Sequence, residues 1–132
     1  MYSGAIIQPL FFPWPGYFHI ISRVQRFIFL DDVQFKKSFG ARNNILNNEN
    51  VNLINLRLKK TSRESTFLQK EFIDFNQDLK KIKKMIEISY SSTKNYSSLV
   101  DILDFNENFN NLADFNIFII KRIAKYLGFS TE

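Results

Sequence analysis

The chain has 132 residues, a formal net charge of +5, 45% hydrophobic residues, 15 phenylalanines and no cysteine. This length suffices for one hydrophobic core and excludes two full catalytic domains, and the apolar content argues against a disordered chain. The lack of cysteine excludes disulfides, thiolate zinc sites and a cysteine nucleophile.

The first third of the chain has the pattern of a strand, a helix and a second strand. Residues 3–8 predict a buried strand that stops at Pro9, whose ring removes a hydrogen-bond donor. Apolar residues at helical spacing span residues 17–26, and residues 27–33 predict the second strand. Such βαβ units join parallel strands and place ligands beyond the carboxyl ends of the strands. We therefore expect a site where these two strands end.

The remainder of the chain changes from a strand period to a helical period. Its predicted elements are a hairpin over residues 45–46 and 51–59, a strand over 71–75, and amphipathic helices over 76–90, 96–103 and 112–127. The last helix is followed by Gly128, which takes the position of a C′ glycine. The sequence thus predicts one α/β domain over residues 1–132. Residues 1–75 hold the βαβ unit and a small mixed sheet, and residues 76–132 are mainly helical.

Asp31 and Asp32, at the end of the second strand, are the leading candidates for catalysis. Adjacent carboxylates at a loop edge can serve as a base or as metal ligands. Successive side chains of a strand face opposite ways, so at most one of the two is expected to point into a site. The alternative is a turn that only ends the strand. Because His19 is the single histidine and no second acidic cluster is visible, no metal site is predicted.

Aromatic and basic side chains near these strand ends are candidates for substrate binding. Trp14 and Tyr17 flank a Pro-Gly pair and can stack on a sugar or a nucleobase, with core packing as the alternative. Lys37, Arg42 and Asn43 follow the acidic strand end, and the planar fork of arginine suits phosphate or carboxylate. A solvated basic loop explains these three residues equally well.

Location and partners follow from what the sequence lacks and from its charge. The phosphate-loop, dinucleotide and hydrolase motifs are missing, so no cofactor is predicted. The first residues lack the features of a secretory signal, and no apolar run reaches about 18 residues. A cytoplasmic protein without a membrane span is expected. The abundance of Phe, Ile, Lys, Asn and Tyr is typical of an AT-rich coding sequence, so the basic charge predicts no specific nucleic-acid partner.

Two segments of the N-terminal third resemble the WbqC-like family. The first begins with Gln8-Pro9 and continues through Pro13-Trp14-Pro15-Gly16 to Tyr17-Phe18. The second, about a dozen residues later, is Phe29-Leu30-Asp31-Asp32-Val33-Gln34-Phe35. The pairing of these two segments is specific to the family.

Further similarity to this family extends over nearly the whole chain. Ala41-Arg42-Asn43 is similar to an Asn-Arg-Asn patch of the family, with Ala41 in place of the first Asn. Residues 112–116 and 126–128 are similar to its closing helix. Family members usually continue well past Glu132, so the chain is expected to be short at its C-terminus.

The resemblance implies a role in bacterial O-antigen, lipopolysaccharide and related surface-polysaccharide synthesis. It implies a transferase that moves a glycyl or another acyl group onto a nucleotide-linked amino sugar. Asp32 or Asp31 is then the base for the sugar amine. The implied substrate-binding residues are Gln8 and Gln34 as hydrogen-bond partners, Trp14 and Tyr17 as stacking walls, and Lys37 and Arg42 at the diphosphate with Asn43 beside them.

Two other functions stay open at this point. A truncated, non-catalytic binding or scaffold domain of the same family would expose an apolar patch and form a homo-oligomer. A nucleotidyl-transfer enzyme is suggested by the strand, the Pro/Gly loop and the helix that bears His19, but the paired histidines of that class are missing.

Overall fold

The computed structural model describes residues 3–37 and 39–132, and it begins with the expected βαβ unit. Strand Gly4–Ile7 (β1) pairs in parallel with strand Arg26–Phe29 (β2), and helix Pro15–Arg23 (α1) connects them. The helix starts two residues earlier than predicted because Pro15 occupies its first turn, where a missing N–H costs nothing. The predicted parallel unit is confirmed.

The second strand is shorter than the sequence pattern indicated. It ends at Phe29, while residues 33–35 pair with a different part of the chain. The N–H of Phe35 donates to the carbonyl of Ser65 at 2.9 Å, and the N–H of Phe67 donates to the carbonyl of Val33 at 3.3 Å. The chain therefore leaves the parallel sheet at the acidic pair and continues along residues 65–67.

An antiparallel hairpin follows, as the sequence predicted. Strand Arg42–Asn47 (β3) pairs with strand Asn50–Asn55 (β4), and Asn48 adopts a left-handed φ of 53° in the turn. Ile54 is buried. Because successive side chains of a strand face opposite ways, Val51 and Leu53 lie on the other face, where both side chains are exposed.

The helices occupy the C-terminal half. They are Phe75–Tyr90 (α2), Tyr96–Leu103 (α3) and Leu112–Tyr126 (α4). The strand predicted over residues 71–75 is wrong: Glu71 and Phe72 form only isolated bridges, and Phe75 opens α2. The helix begins here because the carboxylate of Asp74 accepts a hydrogen bond from the N–H of Gln77 at 3.0 Å and caps the helix.

Helix α4 joins two hydrophobic clusters. Ile119 belongs to the larger one, in which Phe11, Phe67 and Phe115 are almost fully buried between the hairpin and the helices. Ile120 belongs to the smaller one, which packs α1 and the parallel sheet. The predicted fold class is confirmed, with two separate two-stranded sheets, one parallel and one antiparallel, and mainly helical structure after residue 75. Within the described residues, no helix combines the length and apolarity needed to cross a bilayer.

Gly128 ends α4 and gives a first testable prediction. Its φ is 78°, its N–H donates to the carbonyl of Lys125, and the N–H of Phe129 donates to the carbonyl of Ala124. Because these are the two hydrogen bonds of a Schellman motif, Gly128→Ala should lower the free energy of unfolding by about 1 kcal/mol. Urea denaturation measures this loss. Gly4→Ala is the control, since Gly4 has no left-handed φ and an added Cβ would lie 3.6 Å from the nearest backbone atom. Equal losses in both variants would contradict the prediction.

Candidate functional site

A cleft of about 890 Å³ opens beside the outer face of the hairpin. Its walls come from the end of β4, the segment of residues 57–63 and the segment around residues 35–37. Seven of its lining residues are basic: Lys37, Arg42, Arg57, Lys59, Lys60, Arg63 and Lys70. The lining contains no aspartate or glutamate. The cleft therefore has the electrostatic character of an anion site.

Two of these cations are neutralised by carboxylates outside the cleft. Arg57 pairs with Asp78 at 2.6 Å between Nε and Oδ1, and Lys59 pairs with Glu71 at 2.7 Å between Nζ and Oε2. The hydrogen bond from Lys59 and its charge hold the pKa of Glu71 below its ordinary value. Three further lining cations, Lys37, Lys60 and Arg63, have no carboxylate within 4.0 Å among the residues that the structure describes.

Asp78 fixes the wall that carries Arg57. It is buried in the first turns of α2 and accepts two hydrogen bonds from Arg57, one from the backbone N–H at 2.8 Å and one from Nε at 2.6 Å. The guanidinium also donates to the side-chain oxygen of Gln77. These contacts tie the segment after β4 to α2, so the cleft wall has a rigid support.

Lys70 is the one cation of the cleft that lies inside the protein. It is only 9% exposed, and its ammonium donates to the hydroxyl of Thr61 and lies 5.3 Å from the centre of the Phe35 ring. Both contacts line the cleft. No carboxylate within the described ranges pairs with Lys70. The ammonium thus places a positive charge of low solvent exposure at this cavity.

Apolar side chains form the rest of the cleft. Phe35, Leu58 and Ile73 line it, and Leu53 contributes from the outer face of β4. Ile73 and Leu53 are both half-exposed. Such a surface can accept the flat face of a base or a sugar while the cations hold an anionic group.

Of the residues singled out in the sequence, Lys37 and Arg42 line the cleft. Gln34 lies close to it, because its side-chain amide donates to the carbonyl of Arg63 at 2.8 Å. The side-chain amide of Asn43 donates instead to the carbonyls of Phe11 and Phe12, at 3.3 and 2.7 Å. Asn43 therefore holds the Pro-rich loop against β3.

The other predicted residues lie outside the lining of this cleft. Asp31 is partly buried, and its carbonyl accepts from the N–H of Leu68 at 3.3 Å, while Asp32 is exposed. Trp14 is 53% exposed and meets Tyr17 edge-on, with 5.9 Å between ring centres. The described residues contain no group of three or more His, Asp and Glu side chains that could hold a metal ion.

Tyr17 is fully buried in the smaller hydrophobic cluster. Burial raises its pKa well above the ordinary value, so the phenol stays protonated and donates to the carbonyl of Gln8 at 2.9 Å. This hydrogen bond fixes the end of β1 against α1. The contacts of Tyr17 are those of a core residue, and its predicted stacking role is not tested by them.

The Pro-rich loop between β1 and α1 is held from both sides. Asn116 on α4 is 1% exposed and donates to the carbonyls of Pro9 and Gly40, each at 2.8 Å. Phe12 adopts a left-handed φ of 45°, which is uncommon for an aromatic residue. Asn43 and Asn116 together donate to the carbonyls of Pro9, Phe11 and Phe12 in this loop, whose irregular backbone forms no sheet ladder.

Comparison with known proteins places the chain in a family. A family model described as the WbqC-like protein family matches residues 8–132. The chain belongs to the WbqC-like protein family. An uncharacterised protein of Mycobacterium tuberculosis, Rv1507c, is 30% identical over 136 aligned positions, which cover 100% of this chain and 59% of that relative. No solved structure matches the chain significantly.

Five of the cleft's cations were not predicted as functional in this WbqC-like protein. They are Arg57, Lys59, Lys60, Arg63 and Lys70. Residues 57–63 contain four basic residues directly after a strand, and this density was the available signal. Residues 57–59 were predicted only as the end of a hairpin strand, because the sequence does not show that this segment faces Lys37 and Arg42.

Proposed function

We propose that this WbqC-like protein binds a nucleotide-linked amino sugar in the cleft and transfers a glycyl or another acyl group to the sugar amine. The proposal places it in the synthesis of bacterial surface polysaccharides, including O-antigen and lipopolysaccharide. The observation that carries it is a cavity with seven basic lining residues and no acidic one. A diphosphate ester is the common anionic group of nucleotide sugars, and clustered Lys and Arg side chains bind it by charge-assisted hydrogen bonds.

The dimensions of the cleft fit a ligand of that size. Pockets for small molecules typically enclose roughly 300–1,000 Å³, and this cavity has about 890 Å³. Lys37 and Arg42 are the lining residues to which the family resemblance also assigns the diphosphate. The apolar side chains of Phe35 and Leu53 offer a surface for the base or the sugar ring.

The proposed reaction needs a base and an activated acyl donor such as an ester or a thioester. The neutral sugar amine attacks the acyl carbonyl, the new N–C bond forms, and the donor's leaving group departs with its electron pair. A carboxylate then takes the proton from the amine nitrogen. We assign this role to Asp32 or Asp31, which precede the cleft residue Phe35 on one segment of the chain. The other residues that the resemblance names, Gln8, Trp14, Tyr17 and Asn43, lie outside the lining of the cleft, and their contact with substrate stays a prediction.

A binding screen tests the ligand class. The intact chain is titrated with nucleotide sugars that carry or lack a 3- or 4-amino group, followed by thermal shift and calorimetry, with Mg²⁺ as a variable. A ligand that binds only the native state raises the melting temperature. Stabilisation by amino sugars above their hydroxyl analogues supports the proposal. No response to any nucleotide sugar would overturn it.

Substitutions of the cleft cations give a second prediction. Arg42→Ala and Lys37→Ala should each weaken nucleotide-sugar binding about tenfold, because each removes a charge-assisted contact to the diphosphate. Lys81→Ala is the matched control: Lys81 is exposed on α2 and does not line the cleft. Calorimetric affinities that are equal in all three variants would contradict the assignment of the diphosphate to this cleft.

A non-catalytic binding or scaffold role is the second candidate. Leu46 and Val51 lie opposite each other on the outer face of the hairpin, and both are exposed, next to Leu53. Exposed apolar patches mark interaction surfaces, which a homo-oligomer would bury. Concentration-dependent association in sedimentation, together with no response to nucleotide sugars, would favour this candidate over the transferase.

A further inference from the structure

We infer that Lys70 is the residue that anchors a phosphoryl group of the ligand inside the cleft. This inference deepens the proposed function, because it concerns the same cavity and names the recognition element within it. The charge of the bound diphosphate ester is then neutralised by lysine and arginine side chains of the protein.

Lys70 is a buried lysine without a carboxylate partner among the described residues. Lysine is almost never fully buried unless its charge is paired. Lys70 is 9% exposed, and no carboxylate in residues 3–37 or 39–132 lies within ion-pairing distance of it. Removing most of a lysine side chain from water without a counterion costs free energy, and an anionic ligand in the cleft would offset that cost.

The ammonium of Lys70 has more hydrogen-bond donors than its protein contacts use. An ammonium has three N–H donors. One of them goes to the hydroxyl of Thr61, and the face of the Phe35 ring lies against the charge at 5.3 Å. A ring face and a neutral hydroxyl do not neutralise the charge. Thr61 and Phe35 both line the cleft, so a ligand oxygen in this cavity can take up a remaining donor.

Other cations of the cleft add exposed positive charge to the cavity that Lys70 lines. Lys37, Lys60 and Arg63 line the same cavity and are exposed, whereas Lys70 is buried. A ligand with two linked phosphoryl groups can place one at the buried ammonium and the other among the exposed cations. The cleft lining holds no carboxylate that would ligate Mg²⁺ to the diphosphate. We therefore expect recognition that persists when divalent cations are removed.

The test compares Lys70→Met with Lys60→Met in the intact chain. Methionine keeps the length of the side chain and removes its charge. The probes are inorganic pyrophosphate and UDP, titrated by calorimetry in EDTA. Lys70→Met should weaken the binding of both probes roughly tenfold to a hundredfold. Lys60→Met, which removes an exposed cation of the same cleft, should weaken it by a smaller factor than Lys70→Met does.

The melting temperature without ligand separates anchoring from a structural role. A buried charge that only a ligand neutralises destabilises the free protein, so Lys70→Met should melt at the same temperature as the wild type or higher. A structural lysine would instead lower the melting temperature when removed. Wild-type-like pyrophosphate affinity in Lys70→Met, or a large loss of stability in the free variant, would overturn the inference.

Failure of the inference and failure of the proposed function give different results. If the wild-type protein binds nucleotide sugars and Lys70→Met binds them equally well, the proposed function stands and the anchoring role of Lys70 falls. If pyrophosphate binding requires Lys70 while amino-sugar nucleotides give no added stabilisation, the anchoring role of Lys70 is supported and the proposed amino-sugar substrate is contradicted. No pyrophosphate binding to the wild type contradicts the anchor directly.

Discussion

Replacing Asn116 by aspartate is expected to lower the free energy of unfolding by at least about 3 kcal/mol. The Asn116 amide donates to two carbonyls, those of Pro9 and Gly40, in a site that is 1% exposed. Both partners are acceptors, so the side-chain nitrogen must face them. A carboxylate of the same shape presents oxygen to both carbonyls and leaves a charge buried without a partner.

Urea denaturation at several pH values measures this effect. The stability loss should shrink as the pH falls, because a protonated carboxyl group can donate one of the two hydrogen bonds. Asn116→Ala should also destabilise the protein, since it leaves both carbonyls without a donor, but this loss should not vary with pH. Asn76→Asp is the control, because Asn76 is exposed on α2. An unchanged unfolding midpoint in Asn116→Asp would contradict the role of Asn116 as the support of the Pro-rich loop.

Removing the carboxylate of Asp78 is expected to cost about 3 kcal/mol. Asp78 is buried and accepts from both the backbone N–H and the Nε of Arg57. In Asp78→Ala both donors lose an ionised acceptor, and the guanidinium, which is 40% exposed, turns partly to water. The segment after β4 then loses its tie to α2, so the cleft should bind its ligand more weakly as well.

Glu71→Ala provides the matched control for Asp78→Ala. Glu71 pairs with Lys59 of the same cleft, but both side chains are 56% exposed. Exposed ion pairs contribute little, so the unfolding free energy should change far less than in Asp78→Ala. Chemical denaturation of the two variants side by side makes the comparison. A loss in Glu71→Ala as large as that in Asp78→Ala would show that burial does not decide the strength of these pairs.

The sequence predicted those parts of the fold that depend on local periodicity. The parallel unit of β1, α1 and β2, the hairpin and the helix ending at Gly128 all follow from residue patterns within a few turns of the chain. The strand expected over residues 71–75 failed because a short segment with apolar residues at positions 72, 73 and 75 fits a strand or the start of a helix. The cap at Asp74 decided between them.

The candidate site was harder to predict because it is assembled from distant segments. Lys37 and Arg42 were recognised from their position after the acidic pair. They meet Arg63 and Lys70 only because residues 33–35 pair with residues 65–67, a contact that local patterns do not show. The burial of Lys70 likewise depends on Phe35 and Thr61.

Two asparagine side chains hold the backbone of the Pro-rich loop, which the sequence pattern did not indicate. Asn43 was predicted to contact substrate, a role that remains untested, and its amide donates to the carbonyls of Phe11 and Phe12. Asn116 makes the equivalent contact from α4. A polar residue in a motif-like segment can thus donate to buried backbone carbonyls. The amino-acid sequence alone does not distinguish this role from ligand binding.

Chemical-shift mapping by NMR shows which residues of the protein contact a bound nucleotide sugar. Amide shifts of the ¹⁵N-labelled protein are followed while UDP, and then an amino-sugar nucleotide, is added. A ligand in the basic cleft should give saturable shifts concentrated in residues 57–63, around Phe35 and Lys37, and at Lys70. Shifts centred instead on Trp14 and the exposed face of α1, or no saturable shifts at all, would contradict a ligand site in the basic cleft.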